Sequence, residues 1–240
     1  MQDAEEVRRY YDAILPFYDE SLADRGDLPF WESMATRWGS KRILELGCGT
    51  GRLTEVLVKH AEVTAVDLLV EMLRRASKKA RRVVADLRRF AFRERFDLIV
   101  LADDPMAHLI SIDDRANALR LIVEHLTPNG RVVIEGLYRS ADCTSAEETW
   151  SATGEPSVWN ARYRYANGVE VATVMRSWSL EEVRGFAAMG LRVESVWGDF
   201  DESAFSETAS RMIIVARRGG GERATFRTEA AARGSQASRL

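Results

Sequence analysis

One stretch narrows the possible folds more than any other: Arg42-Ile43-Leu44-Glu45-Leu46-Gly47-Cys48-Gly49-Thr50-Gly51-Arg52. A short apolar run ends in an acid, and a loop with glycine at every second position follows. Leu53-Thr54-Glu55-Val56-Leu57-Val58 then has helical spacing. A buried strand, a tight turn and a helix start, in that order, hold a nucleotide-like ligand at the mouth of a parallel sheet. Glycine is needed because part of the turn adopts backbone angles closed to residues with a Cβ, and because the ligand must approach the backbone closely.

Spacing then selects the ligand. The dinucleotide fingerprint is Gly-x-Gly-x-x-Gly, with a helix N-terminus free to receive a pyrophosphate. Here the order is Gly47-x-Gly49-x-Gly51, and Arg52 stands where the third dinucleotide glycine would fall. Glu45 also puts a carboxylate at the strand end. It would repel a pyrophosphate but suits a ligand that carries an ammonium and a sulfonium. Glu62-Val63-Thr64-Ala65-Val66-Asp67 reads as a second strand ending in an acid. Asp67 lies about 20 residues after Gly47, the interval of a carboxylate that accepts hydrogen bonds from ribose hydroxyls.

At these residues the chain resembles the class I S-adenosylmethionine-dependent methyltransferases, of the small-molecule type. Glu45–Gly51 matches the first motif of that family. Ala65-Val66-Asp67 with Glu71-Met72-Leu73 matches the second-strand motif, and Val84-Ala85-Asp86 fits the third, whose acid meets the adenine amine. Phe96–Val100 and Leu126–Ile134 fit strands four and five, and the ordered match covers roughly residues 7–217. The resemblance implies an α/β fold, a Rossmann-like doubly wound seven-stranded mostly parallel sheet. An N-terminal helical lid and a β-hairpin insertion after strand five are part of it. It also implies S-adenosylmethionine as cofactor, held by Glu45, Gly47, Cys48, Gly49, Gly51, Asp67, Leu68, Met72, Ala85, Asp86, Leu87 and Leu101. No metal is implied. Tyr11 and Tyr18, in the segment Tyr10–Asp19, are candidates for cofactor or substrate contacts, or for packing of the lid.

Composition sets outer limits. The 240 residues, 46% of them hydrophobic, suit one α/β domain with a covering element. No apolar run approaches the ~20 residues that span a bilayer. The acidic N-terminus lacks the basic and apolar regions of a signal peptide, and two cysteines make no disulfide framework. A cytoplasmic protein with no membrane partner is expected. A net charge of −3 gives no pull toward nucleic acid. The basic run Arg74, Arg75, Lys78, Lys79, Arg81, Arg82 closes an expected helix over 69–80. It lacks interleaved aromatics and reads as a solvated helix end rather than a nucleic-acid patch.

The domain reading is a methyltransferase unit over 1–218, with a lid over 1–38, an insertion over 141–178 and a disordered tail over 219–240. Asp113 or Asp114 should cap the helix before strand five, and Ser179 with Glu182 forms a capping box for a later one. In the insertion, Trp159–Tyr165 and Val169–Met175 alternate around Asn167-Gly168, a strong hairpin signal. Its aromatics can line an acceptor pocket, form a dimer contact, or cover one face. The loop after strand four, Asp103-Asp104-Pro105-Met106-Ala107-His108, faces the reacting methyl, because ligands lie beyond the strands' carboxyl ends. It lacks the second proline and aromatic of DNA-adenine amino methyltransferases. His108, Asp104 and Tyr138 are the catalytic candidates, with Glu135 a further contact. A base at His108 implies that activity falls below ~pH 6.5.

The expected function is methyl transfer to an N or O atom of a small-molecule acceptor, by a monomer or homodimer. An RNA or protein/peptide methyltransferase and a non-catalytic nucleoside-binding module are the alternatives.

Overall fold

The computed structural model describes residues 4–219. In chain order the elements are α1 (Ala4–Ile14), α2 (Tyr18–Ser21), α3 (Leu28–Arg37), β1 (Arg42–Leu46), α4 (Thr54–Leu57), β2 (Glu62–Asp67), α5 (Val70–Arg75), β3 (Arg81–Val84), β4 (Phe96–Leu101), α6 (Ile112–His125), β5 (Leu126–Leu137), β6 (Cys143–Thr144), β7 (Glu148–Ala152), β8 (Val158–Arg164), β9 (Glu170–Arg176), α7 (Leu180–Arg184), β10 (Leu191–Trp197) and β11 (Arg211–Arg218). Short 3₁₀ turns span Pro105–His108 and Gly185–Met189.

Seven strands form one sheet in the order β10-β11-β5-β4-β1-β2-β3. Its β5-β4-β1-β2-β3 part is parallel, while β11 runs antiparallel to both β5 and β10. The inner strands read as continuous apolar runs because both faces are covered. Leu44, Ile99, Leu101 and Val132 pack with Leu119 and Ile122 of α6 on one side. Their neighbours Ile43, Leu98, Val100 and Val133 pack with Trp31 and Met34 of α3 on the other. Ile43, Leu44 and Leu46 are all fully buried. Each contributes about 1.5–3 kcal/mol of hydrophobic stabilisation, which fixes β1 at the centre of the sheet.

The hairpin is present, with Trp159 opposite Met175 and Tyr163 opposite Val171, and Gly168 takes a left-handed φ of 82° at its turn. It belongs to something larger than the sequence announces. β6 and β7 extend it to a four-stranded antiparallel sheet, β6-β7-β8-β9. Those two strands are short and rich in Ser, Thr and Glu, so they carry little strand signal. Trp150, Trp159, Ala161 and Met175 form a small core with Ala107, and Tyr10 of α1 packs on it.

Two local expectations need correcting. The helix over 69–80 is only α5, which stops at Arg75 with Ala76 extended. The glycine loop packs against that point: a Cβ on Gly51 would lie 2.6 Å from the Ala76 Cα. Arg82 caps the freed carbonyls of Leu73 and Ala76 at 3.0 and 3.2 Å. Arg74 pairs with Glu71, and Arg81 with Glu94. The basic run is thus partly spent on local pairs. Helix α6 is capped by Ser111, which accepts from the Asp114 N–H, and Asp113 and Asp114 fill its first turn. The Ser179–Glu182 capping box is formed as read. The tail expectation, beyond Gly219, lies outside the described residues.

Candidate active site

The loop after β1 turns on glycine. Gly47 and Gly49 have φ of 75° and 56°, and Gly51 has 88°. The Gly47 and Cys48 N–H groups donate to the Val66 carbonyl at 2.8 and 2.9 Å, which ties the loop to β2. Arg52, in the third-glycine position, clasps the fully buried Asp27 through two hydrogen bonds of 2.7 and 2.8 Å. Thr50 bonds Asp19. The N-terminal segment is therefore strapped to the loop by side chains at the positions that distinguish it from a dinucleotide turn.

A cavity opens at the carboxyl ends of the parallel strands, in two lobes. The first encloses about 820 Å³ with its mouth and is lined by Gly47, Gly49, Asp67, Leu68, Met72, Ala85, Asp86, Leu87 and Arg88, among others. The second, about 1130 Å³, is lined by Tyr10, Arg25, Asp104, Glu135, Arg139, Trp150, Tyr163 and Tyr165, among others. Tyr11, Tyr18, Asp103 and His108 line both.

In the first lobe, Asp67 accepts from the N–H groups of Gly49 and Leu69, each at 2.8 Å. Burial raises its carboxyl above the ordinary range against those bonds. A carboxylate has about four lone-pair sites, so two remain for ligand hydroxyls. Asp86 is gripped by Arg88 through bonds of 2.9 and 2.6 Å. Burial works against ionisation there, and the Arg88 hydrogen bonds outweigh it, so Asp86 titrates below the usual value. A Cβ on Gly49 would come within 3.0 Å of the Tyr18 hydroxyl, so Tyr18 lies across the loop. An acid at the end of β2, a bare glycine backbone and the apolar walls of Leu68, Met72 and Leu87 fit an adenosyl ligand.

At the junction, His108 is carried by the Pro105–His108 turn. Its Nε2 meets the Tyr11 hydroxyl at 3.2 Å, and its buried Nδ1 has no hydrogen-bond partner among the described residues. Burial pushes its pKa down to about 4, so the ring is neutral near pH 7. That corrects the expected fall of activity below ~pH 6.5, which assumed a solvated imidazole. Asp103 and Asp104 have left-handed φ of 57° and 41°, uncommon for residues with a Cβ. Asp104 accepts from the Leu137 N–H at 2.7 Å and the Trp178 indole at 3.3 Å. Burial drives its pKa up to about 7, against the nearby Arg115 charge. Arg115 fixes the turn by donating to the Met106 and Arg176 carbonyls at 3.3 and 2.7 Å, with Trp178 under its guanidinium. Arg25 bonds Asp103 and, at 2.5 Å, Glu135, whose other oxygen accepts from the Asp103 N–H.

Several expected site residues lie elsewhere. Glu45 is buried behind the loop, accepts from the Thr54 hydroxyl at 2.6 Å, and is raised by burial to about 8. It braces the start of α4 rather than lining either lobe. Leu101 faces the core, because Ala102 and Asp103 reach the cavity in its place. Gly51 packs on Ala76. Cys48 sits in the core beneath α3, and burial raises its thiol far above the ordinary value, so it is small filling rather than a reactive thiol. Tyr138 packs edge-on against Phe205 at 4.8 Å. Arg25, Arg88 and Arg139 went unforeseen, since a lone arginine has no periodicity to announce it. Among the described residues no helix is long and apolar enough to cross a membrane, and no cluster of three metal-ligating side chains occurs.

Comparison with known proteins agrees with this geometry. Residues 43–130 match the family described as "Methyltransferase domain". Nodulation protein S of Rhizobium tropici is 33% identical over 107 residues, 42% of this chain and 44% of that protein. The dTDP-4-amino-2,3,4,6-tetradeoxy-D-glucose N,N-dimethyltransferase of Saccharopolyspora spinosa is 30% identical over 100 residues, 40% of each chain. The match thus spans less than half the length of either relative. An S-adenosylmethionine-dependent methyltransferase from Clostridium acetobutylicum superposes with a TM-score of 0.69 at 19% identity, over 88% of this chain and 99% of that one. Residues 43–130 thus carry a methyltransferase domain, and the chain has the fold of the class I S-adenosylmethionine-dependent methyltransferases. S-adenosylmethionine is the cofactor of that class.

Proposed function

We propose that the protein transfers a methyl group from S-adenosylmethionine to an amine nitrogen of a small acceptor seated in the second lobe. The observation that carries this reading is that Asp104, its carboxyl raised by burial to about 7, and His108, kept neutral by burial, both line the acceptor lobe. The cofactor, when bound, supplies an electrophilic methyl on a sulfonium. Asp67 would accept from the ribose hydroxyls, Asp86 would meet the adenine edge, and Tyr11 and Tyr18 would close the lobe against water.

The amine reading follows from proton affinities. An aliphatic ammonium has a pKa of about 10 and must lose a proton before it attacks. A carboxylate poised near 7 is a workable acceptor for that proton, whereas a hydroxyl, far less acidic, would need a stronger base. A neutral His108 can hydrogen-bond the acceptor without placing a second cation against the sulfonium. Asp103 and Glu135 neutralise Arg25 and leave Asp104 for this task. The names of the relatives support the same choice, since one acts on an amino sugar.

The test is turnover of methyl-labelled cofactor against matched amine and alcohol acceptors, with label located on the product. Transfer to nitrogen is expected, with a pH limb near 7 that Asp104→Asn abolishes. Label found only on oxygen would overturn the proposal.

A further inference from the structure

The second lobe holds three arginines, Arg25, Arg139 and Arg211, and they are not equally compensated. Arg25 is shared among Asp103, Glu135 and Asp27. Arg211 bonds Asp199 at 3.1 Å and approaches Glu135 at 4.0 Å, outside hydrogen-bond range. Arg139 has one acidic contact, Glu148 at 3.4 Å, long for a charge-assisted bond. The other oxygen of Glu148 accepts from the Trp150 indole N–H at 2.8 Å. Among the described residues the Nε of Arg139, like that of Arg25, is buried without a hydrogen-bond partner. Its side chain is only 15% exposed.

A mostly buried guanidinium with an orphaned donor costs free energy unless something compensates it. Its geometry is nonetheless prepared. The guanidinium lies over the Trp150 ring, 4.7 Å from the centroid, and Trp150 is itself fixed in the insertion core. A stacked, planar fork with one free edge is a ready receptor for an oxyanion, which it can hold through two parallel N–H bonds. Arg139 lines the second lobe, so its guanidinium borders the acceptor cavity. Tyr163 and Tyr165 line the same lobe.

We propose that Arg139 is an anion-binding residue of the acceptor lobe, and that the methyl acceptor carries an oxyanion, carboxylate or phosphate, in addition to its amine. This deepens the amine-acceptor reading: Asp104 takes the nitrogen, and Arg139, stacked on Trp150 of β7, takes the acidic group. The acceptor is then amphoteric, with its two charged ends sorted by the two ends of the lobe.

The test needs no acceptor. The full chain, saturated with S-adenosylhomocysteine, is titrated calorimetrically with inorganic phosphate and pyrophosphate in one arm, and acetate and succinate in the other. Binding in one arm identifies the source of the oxyanion. Arg139→Ala should weaken that binding by roughly ten- to a hundredfold. Arg139→Lys should fall between, keeping the charge but losing the fork, and both variants should hold S-adenosylhomocysteine as the wild type does. No binding in either arm, or equal binding by wild type and Arg139→Ala, overturns the assignment. If Arg139→Ala cannot hold S-adenosylhomocysteine, Arg139→Lys decides: undiminished anion affinity there overturns it. Oxyanion binding through Arg139 with methylation only on oxygen would sink the amine reading and the amphoteric acceptor but leave Arg139 as the anion-binding residue, whereas methylation on nitrogen without oxyanion binding would overturn the Arg139 assignment alone.

Discussion

Gly47 couples the cofactor loop to the turn that carries His108, and Gly47→Ala should expose that coupling. Its φ of 75° disfavours any side chain, at about 1–2 kcal/mol. A Cβ there would also stand 2.7 Å from Cγ of Pro105 and closer still to its Cβ. Overpacking of that kind costs about 1–3 kcal/mol. The smaller entropy of the unfolded alanine chain returns about 0.4–1 kcal/mol. The net loss is about 2–4 kcal/mol, which for a chain of this size lowers the melting temperature by roughly 5–15 °C. Gly39 supplies the control: its φ is 62°, but nothing lies within 4 Å of its added Cβ. Gly39→Ala carries the backbone strain alone and should lose about 1 kcal/mol. Thermal and urea unfolding of both variants isolates the Pro105 contact. Gly47→Ala should in addition weaken S-adenosylhomocysteine, since the residue lines the first lobe. Equal losses in the two variants would refute the reasoning.

Asp67→Ala should weaken S-adenosylhomocysteine by about 1.5–3 kcal/mol, the scale of hydrogen bonds to a charged group, and unchanged affinity by calorimetry would mean the ribose contact is misassigned. His108 titrates at about 4 when folded and 6.5 ordinarily, so between those pH values the unfolded chain takes the proton and the folded one does not. Its contribution to stability is present above pH 6.5 and lost as pH falls toward 4, by about 3 kcal/mol in all. Glu45 and Asp104, with raised pKa values, slope the other way, so the readout is the difference between wild type and His108→Gln across that range. Parallel stability curves for the two would remove His108 from the buried neutral class.

The sheet was readable because its signals are local. Apolar runs ending in Glu45 and Asp67, glycines at fixed offsets and a Ser179–Glu182 capping box each declare their structure within a few residues. The first lobe was readable for the same reason, since Gly47, Gly49, Asp67 and Asp86 sit at strand ends whose order the motifs give. The second lobe is assembled from parts distant in sequence: Arg25 meets Glu135 across 110 residues, and Tyr11 meets His108 across 97. No period or spacing predicts such contacts. Glu45 shows a subtler failure. Its place at the strand end was evident, but which side of the loop its carboxylate serves depends on Thr54, and only packing decides that. Tyr138 failed through strand alternation: Leu137 lines the second lobe, and the next residue turns to the other face, onto Phe205.

The central claim is that the loop after β1 and the acid after β2 hold an adenosyl sulfonium cofactor rather than a dinucleotide. Calorimetric titration of the full chain with S-adenosylmethionine, S-adenosylhomocysteine and NAD tests it directly. The account predicts binding of both adenosyl ligands, on the order of micromolar, and no heat from NAD. Binding of NAD with no response to either adenosyl ligand would contradict it.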